Sequence, residues 1–235
     1  MRRFRQHDDT LITMAATPEI EHAGGRGALT ATIVSLPAPA FSAVSFYETV
    51  IRQADIAVHV APVMHYGREP ALNLEVLAVP VTITNEGAQG GTVLSLELIV
   101  HNPVKEDGWP DQRVYYSAYF GEHPREQNST SRAFAPISLA GRSGFSDTIR
   151  FFPKGNPLPL MVRAEGTYRM TLRVTTAGPS EPTLIDRLFR AANPAPVTFE
   201  RTLPWISDQH LRFRRGTIPM HAKNWQAVAA PQPNQ

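Results

Sequence analysis

The stretch Leu77-Ala78-Val79-Pro80-Val81-Thr82-Ile83-Thr84-Asn85-Glu86-Gly87 decides how this chain reads. Leu77, Val79, Val81 and Ile83 alternate with Ala78, Pro80, Thr82 and Thr84, a period of two that makes one face of an extended strand apolar. Asn85-Glu86-Gly87 and Gly90-Gly91 are turn formers, and beyond them Leu94, Leu96, Leu98 and Val100 alternate with Ser95, Glu97 and Ile99 as far as Asn102-Pro103. That pattern predicts a second strand folding back antiparallel on the first. Pro80 has no N–H to give to a ladder, so the first strand is expected at a sheet edge or a bulge.

Outward from this pair, residues 56–60, 113–120, 132–139, 145–152 and 166–176 are further strand candidates, each bounded by Pro, Gly or Asn, and 197–203 reads as the last strand. Leu184, Ile185, Leu188 and Phe189 follow Thr183 at helical spacing and predict a short helix over 183–192. The rest of the composition agrees. The 235 residues are 42% hydrophobic and 19% charged, enough to bury a core, and 21 Pro against 15 Gly argue against a helical bundle. With no Cys, disulfide scaffolds, thiolate zinc sites, iron–sulfur clusters and cysteine nucleophiles are excluded. A net charge of +2 does not by itself call for nucleic acid. The expected fold is all-β: a two-sheet antiparallel sandwich spanning 51–205, between a flexible N-terminal tail over 1–50 and a basic, partly disordered C-terminal tail over 206–235.

The N-terminal tail contains an uncharged span, 28–47, that allows three readings. As a single membrane anchor it is long enough, but Pro37 and Pro39 oppose a helix interior. As an export signal it offers the apolar run 28–36 and Ala38-Pro39-Ala40, behind a start whose arginines are matched by carboxylates. It also reads as a flexible lead-in to a soluble domain. Anchoring or export would place the protein at the cell envelope; the lead-in would leave it cytoplasmic.

The segment Ala164-Glu165-Gly166-Thr167-Tyr168-Arg169-Met170 resembles the strand-F signature of immunoglobulin domains, with Met170 where the second cysteine stands. The resemblance implies a tyrosine corner in which the Tyr168 hydroxyl bonds back to the backbone. Val79-Pro80-Val81-Thr82-Ile83-Thr84-Asn85-Glu86-Gly87 is similar to the alternating strand of bacterial immunoglobulin-like modules of the cell-adhesion-related type. An immunoglobulin-like sandwich is what the two likenesses together imply.

Chemistry is sparse. The eight histidines include no pair at i, i+4, so helix-borne zinc is not expected, and neither a metal nor a cofactor is called for. Gly-x-Ser-x-Gly, Walker A and Gly-x-Gly-x-x-Gly are all missing. A catalytic carboxylate pair needs no local motif, which keeps a hydrolase with a non-local carboxylate site as an alternative. Residues 109–120 are the most suggestive: on a strand, Val114, Tyr116, Ala118 and Phe120 share one face, and Arg113, Tyr115 and Tyr119 share the other. If the first face is core, Arg113, Tyr115 and Tyr119 meet solvent, and Tyr115→Ala should hardly alter stability. Arg169 and Arg173, outward on the strand of Tyr168, join them as candidate binding residues. Near the C-terminus Arg201, Arg212, Arg214, Arg215 and Lys223 outnumber Asp208, a run read as a solvated tail rather than a nucleic-acid surface. The expected function is a non-enzymatic interaction or scaffolding module with a protein or glycan partner, or alternatively a soluble carbohydrate- or peptide-binding accessory protein.

Overall fold

The computed structural model describes residues 37–69, 74–103, 108–121, 132–177, 194–213 and 216–225. The chain divides into two units, Met1–Val44 and Ser45–Gln235, and every strand among the described residues belongs to the second. Alternating apolar residues build β1 (Ile56–Val60), β2 (Val63–Glu69), β3 (Leu74–Asn85), β4 (Gly91–His101), β5 (Gln112–Phe120), β6 (Arg132–Ala133), β7 (Ile137–Leu139), β8 (Ser143–Pro153), β9 (Gly166–Thr176), β10 (Val197–Leu203) and β11 (Ile218–His221). All pairings are antiparallel.

The strands do not form two facing sheets. In the order β5-β8-β3-β2-β11-β10-β9-β4 they make one sheet of eight that closes on itself where β4 pairs with β5. This closed barrel overturns the immunoglobulin-like sandwich and the module resemblance built on it. A period of two says which face of a strand is dry, and that is equally true of a sheet facing another sheet and of a sheet rolled up. The rolled interior holds Leu77, Val79, Val81, Ile83, Leu96, Leu98, Ile149, Phe151, Tyr168, Met170 and Leu172, all 2% exposed or less. Tyr168 keeps its local contact, its hydroxyl donating to the Ala164 carbonyl at 2.8 Å.

Two irregularities help the sheet bend. β1 and β2 lie along the same edge of β3, opposite β8, and are separated by Ala61-Pro62. Pro80 sits opposite this break rather than at a sheet edge: its carbonyl accepts from the Ala61 N–H at 3.1 Å, so the side on which proline has no donor is the side where the neighbouring strand is interrupted. The second is a bulge in β5, where the register with β8 shifts between Ser117 and Tyr119. There β4 and β5 diverge, and 132–139, expected as one strand, splits into β6 on β5 and β7 on β4.

Asn85, from the turn that ends the deciding stretch, is buried and ties one end of the barrel together. Its Oδ1 accepts from the N–H groups of Asp55 and Gly87 at 3.0 Å, and its Nδ2 donates to the carbonyls of Gln89 (2.8 Å) and Ala140 (3.0 Å).

A helix, α1, spans Pro37–Phe46, with both prolines in its first turn, where their missing N–H groups have no partner to lose. It continues into a π-helical turn at Tyr47–Ile51. Its 10 residues span roughly 15 Å, about half a bilayer core. No helix among the described residues is long and apolar enough to cross a membrane. Residues 28–36 and the helix expected over 183–192 lie outside the described residues. The stretch assigned to a basic tail contributes α2 (Asp208–Phe213) and β11, which stands between β2 and β10 in the ring.

Candidate functional site

At the end of the barrel opposite Asn85, the connections β4–β5, β8–β9 and β10–β11 meet around a buried carboxylate. Glu75 leads the apolar alternation of β3 and, by that alternation, points inward one turn of the pleat before Leu77. It is fully buried, and both oxygens are saturated with donors. Oε1 accepts from the Val162 N–H at 2.6 Å and lies 3.3 Å from the Tyr66 hydroxyl; Oε2 accepts from the Met161 N–H at 2.9 Å and the Tyr115 hydroxyl at 2.7 Å. The Tyr66 proton has a second acceptor, the Val162 carbonyl at 3.2 Å. Donors alone surround both oxygens of this carboxylate.

Two arginines balance this charge. Arg68 stands directly across the ladder from Glu75, donates from Nε to the Tyr66 hydroxyl at 3.0 Å, and reaches Asp208 at the start of α2 at 2.7 Å. Arg113 places Nη1 at 3.8 Å from Glu75 Oε2 and donates to the Pro157 carbonyl at 2.6 Å. Burial, reinforced by the charge of Glu75, pushes the phenols of Tyr66 and Tyr115 far above the ordinary tyrosine range. The cluster fixes the β8–β9 connection and α2 to the barrel; its tyrosines are held as neutral donors.

Above Arg113 the β4–β5 and β8–β9 connections leave an open cleft of about 680 Å³, lined by Trp109, Gln112, Arg113, Lys154, Asn156 and Leu158 among others. The Arg163 guanidinium lies over the Trp109 ring. Lys154 pairs with Glu97 at 3.2 Å, and Leu158 is 54% exposed.

The structure redistributes the residues expected to bind. Arg113 and Tyr115 are not on the solvent face: they are 9% and 0% exposed and both belong to the Glu75 cluster. Tyr119 is exposed, as expected, because the bulge after Ser117 reverses the phase of β5, and it packs edge-on against Phe152 with Arg150 over its ring. Phe120 is accordingly inside, stacked on Phe134. Tyr116, placed in the core by the sequence, is 47% exposed. Arg169 and Arg173 are exposed on β9, the former 3.6 Å from Glu200, so the five candidates do not form one site. Glu75, Tyr66 and Arg68 went unnoticed, although Tyr66-x-Arg68 and Arg113-x-Tyr115 each place a tyrosine and an arginine on one strand face. Among the described residues, no group of three or more His, Asp or Glu side chains is arranged to hold a metal ion.

No protein-family model matches the chain, and no curated protein matches it. Among solved structures, the chain is similar to a crystal structure from Bordetella pertussis assigned as an ApaA protein, with 16% identity over 74% of this chain and 98% of that one and a TM-score of 0.27. A likeness at that score bears neither on fold nor on function.

Proposed function

We propose that the protein is a non-enzymatic recognition module that seats a peptide segment of a partner protein in the cleft beside Glu75. The observation that carries the reading is the clamping of Arg113 between Glu75 and the Pro157 carbonyl: a cation held at the cleft floor with its geometry already fixed. Beside it, exposed Leu158 and the rim cation Lys154 suit a peptide with an apolar residue next to an acidic one. Arg163 already covers a face of Trp109, the ring on which a sugar would stack, which favours peptide over glycan. An enzymatic reading has less support, since the carboxylate of Glu75 spends both oxygens on internal donors and its tyrosines are held neutral.

Arrays of peptides and glycans probed with the full chain test this. The expected result is binding to peptides that pair an apolar and an acidic residue, weakened about tenfold or more by Leu158→Asp at the exposed rim. Binding indifferent to Leu158→Asp, or confined to glycans, refutes it.

A further inference from the structure

The barrel splays toward its Asn85 end at two places, and they are treated differently. Where β4 and β5 part, β6 and β7 fill the space. The other lies between β1 and β10. β11 separates β2 from β10 but is laddered to β10 by the single pair Thr202 and His221. It runs toward the gap and then leaves it: the Ala222 N–H bonds to the Pro62 carbonyl, the chain turns so that the Trp225 N–H meets the Ala222 carbonyl, and the Trp225 ring stacks on His221 at 4.4 Å. Among the described residues β1 pairs only with β3, and β10 from Val197 to Arg201 pairs only with β9.

The backbone of β1 has a fixed phase. Ala61 N–H bonds to the Pro80 carbonyl and Glu86 N–H to the Asp55 carbonyl, so the peptide groups of Ala57 and His59 face β3 and those of Ile56, Val58 and Val60 face the gap. Ile56, Val60, Val197 and Phe199 beside it are only partly buried against the core. At the bottom of the gap Arg201, 6% exposed, donates to the Ala61 carbonyl at 2.6 Å and to its neighbour Glu200's carbonyl at 2.7 Å. Its Nε is buried without a partner, and no described carboxylate lies within ion-pair distance of it. At His221, β11 stands between Val63 of β2 and Thr202 of β10, so where β11 ends the flanking strands are set about two strand spacings of ~4.8 Å apart, room for one added strand.

We infer that this gap is a strand-acceptor site for an extended acidic segment of another polypeptide, which pairs with the free backbone groups of Ile56, Val58 and Val60 and supplies the carboxylate that Arg201 lacks. The inward position of such a segment nearest Arg201 carries the acid, its other inward positions are apolar, to meet Val58 and Phe199, and its outward positions are polar. The site lies apart from the cleft and does not depend on it.

The test uses the full chain carrying Leu158→Asp, so that the cleft takes no part. A displayed library of peptides of about six residues, alternating apolar and polar positions with one Asp or Glu, is selected on it. The expected binder slows hydrogen exchange at the Ile56, Val58 and Val60 amides and not at Ala57 or His59, which are already paired. Arg201→Gln weakens it about tenfold or more. Replacing the peptide's acid by its amide does the same on unaltered Arg201, which keeps the test valid should Arg201→Gln fail to fold. Failure to enrich any peptide overturns the inference, as does protection elsewhere or indifference to the peptide's charge. Protection of the same three amides in the chain alone overturns it too, identifying the occupant as a segment of this chain if independent of concentration and as a second copy if not.

Discussion

Glu75→Gln is the sharpest probe of the cluster at the loop end. The amide keeps the shape of the side chain but replaces one acceptor oxygen by a donor, and each Glu75 oxygen faces two donors: Val162 N–H and Tyr66 on one side, Met161 N–H and Tyr115 on the other. With its nitrogen on the Val162 side the amide sets donor against donor at the Val162 N–H, while Tyr66 can turn its proton to the Val162 carbonyl and accept; turned the other way it opposes the Met161 N–H and leaves the Tyr115 proton without its acceptor. A hydrogen bond to a charged group is worth about 1.5–3 kcal/mol, so at least that is lost, and the bonds that remain fall to neutral strength. The loss of counter-charge for Arg113, whose side chain is 8% exposed and lies 3.8 Å away, brings the total to about 3–5 kcal/mol. Against a total stability of about 5–15 kcal/mol the variant is expected to be near unfolding. Glu97→Gln, which breaks the exposed pair with Lys154, is the control and should cost no more than about 1 kcal/mol. Urea titrations followed by tryptophan fluorescence compare the two at neutral pH. A loss under about 1 kcal/mol for Glu75→Gln, or one equal to the control, would refute the account of the cluster.

Tyr115→Ala should lower stability by about 3–5 kcal/mol, whereas Tyr116→Ala, at a position 47% exposed, should stay within about 0.5 kcal/mol; thermal melts that put the two in the opposite order would show that β5 presents its other face to the interior. At Gly87 an added Cβ would run into the Gln53 carbonyl oxygen, a backbone atom that cannot swing aside, so Gly87→Ala should cost at least about 1–3 kcal/mol, and an unchanged melting temperature contradicts that packing. Burial raises Tyr66, Tyr115 and Tyr168 above the unfolded value of about 10, so the folded chain keeps protons that the unfolded chain gives up. Their contribution is therefore whole below about pH 10 and falls above it, by up to about 1.4 kcal/mol per pH unit for each tyrosine. Urea midpoints should drop between about pH 9 and 11, less steeply in Tyr115→Phe, and equal midpoints would argue against these phenols being buried.

What the sequence disclosed and what it withheld divide along one physical line. β1, β9 and β10 begin and end where the alternation says, because their inward residues are almost all apolar. β2 escaped notice because its inward positions are Met64, Tyr66 and Arg68 while Val63 faces outward, which inverts the usual pattern. The same inversion misplaced Arg113 and Tyr115. A charge on the inside is affordable only opposite a partner, and the partner, Glu75, is supplied by a different strand, so no local window contains the answer. Pro80 signalled an irregularity correctly, but the irregularity lies in its neighbour, the break at Ala61-Pro62. The cleft is a product of loop packing, to which period two is blind. Closure of the sheet depends on β11, four residues with a proline among them, too short for periodicity to register.

That last strand also dictates when the molecule can exist. Arg68 meets Asp208 across 140 residues of chain, and Glu75 meets Val162 across 87. A chain emerging from the ribosome therefore carries β2 with one flank bare until Ile218–His221 has been made, and topologies of this kind fold slowly and expose adhesive strand borders meanwhile. Premature termination ahead of Ile218 should yield not a smaller barrel but a split one, and its fate in the cell would be decided by chaperones and proteases rather than by its own thermodynamics.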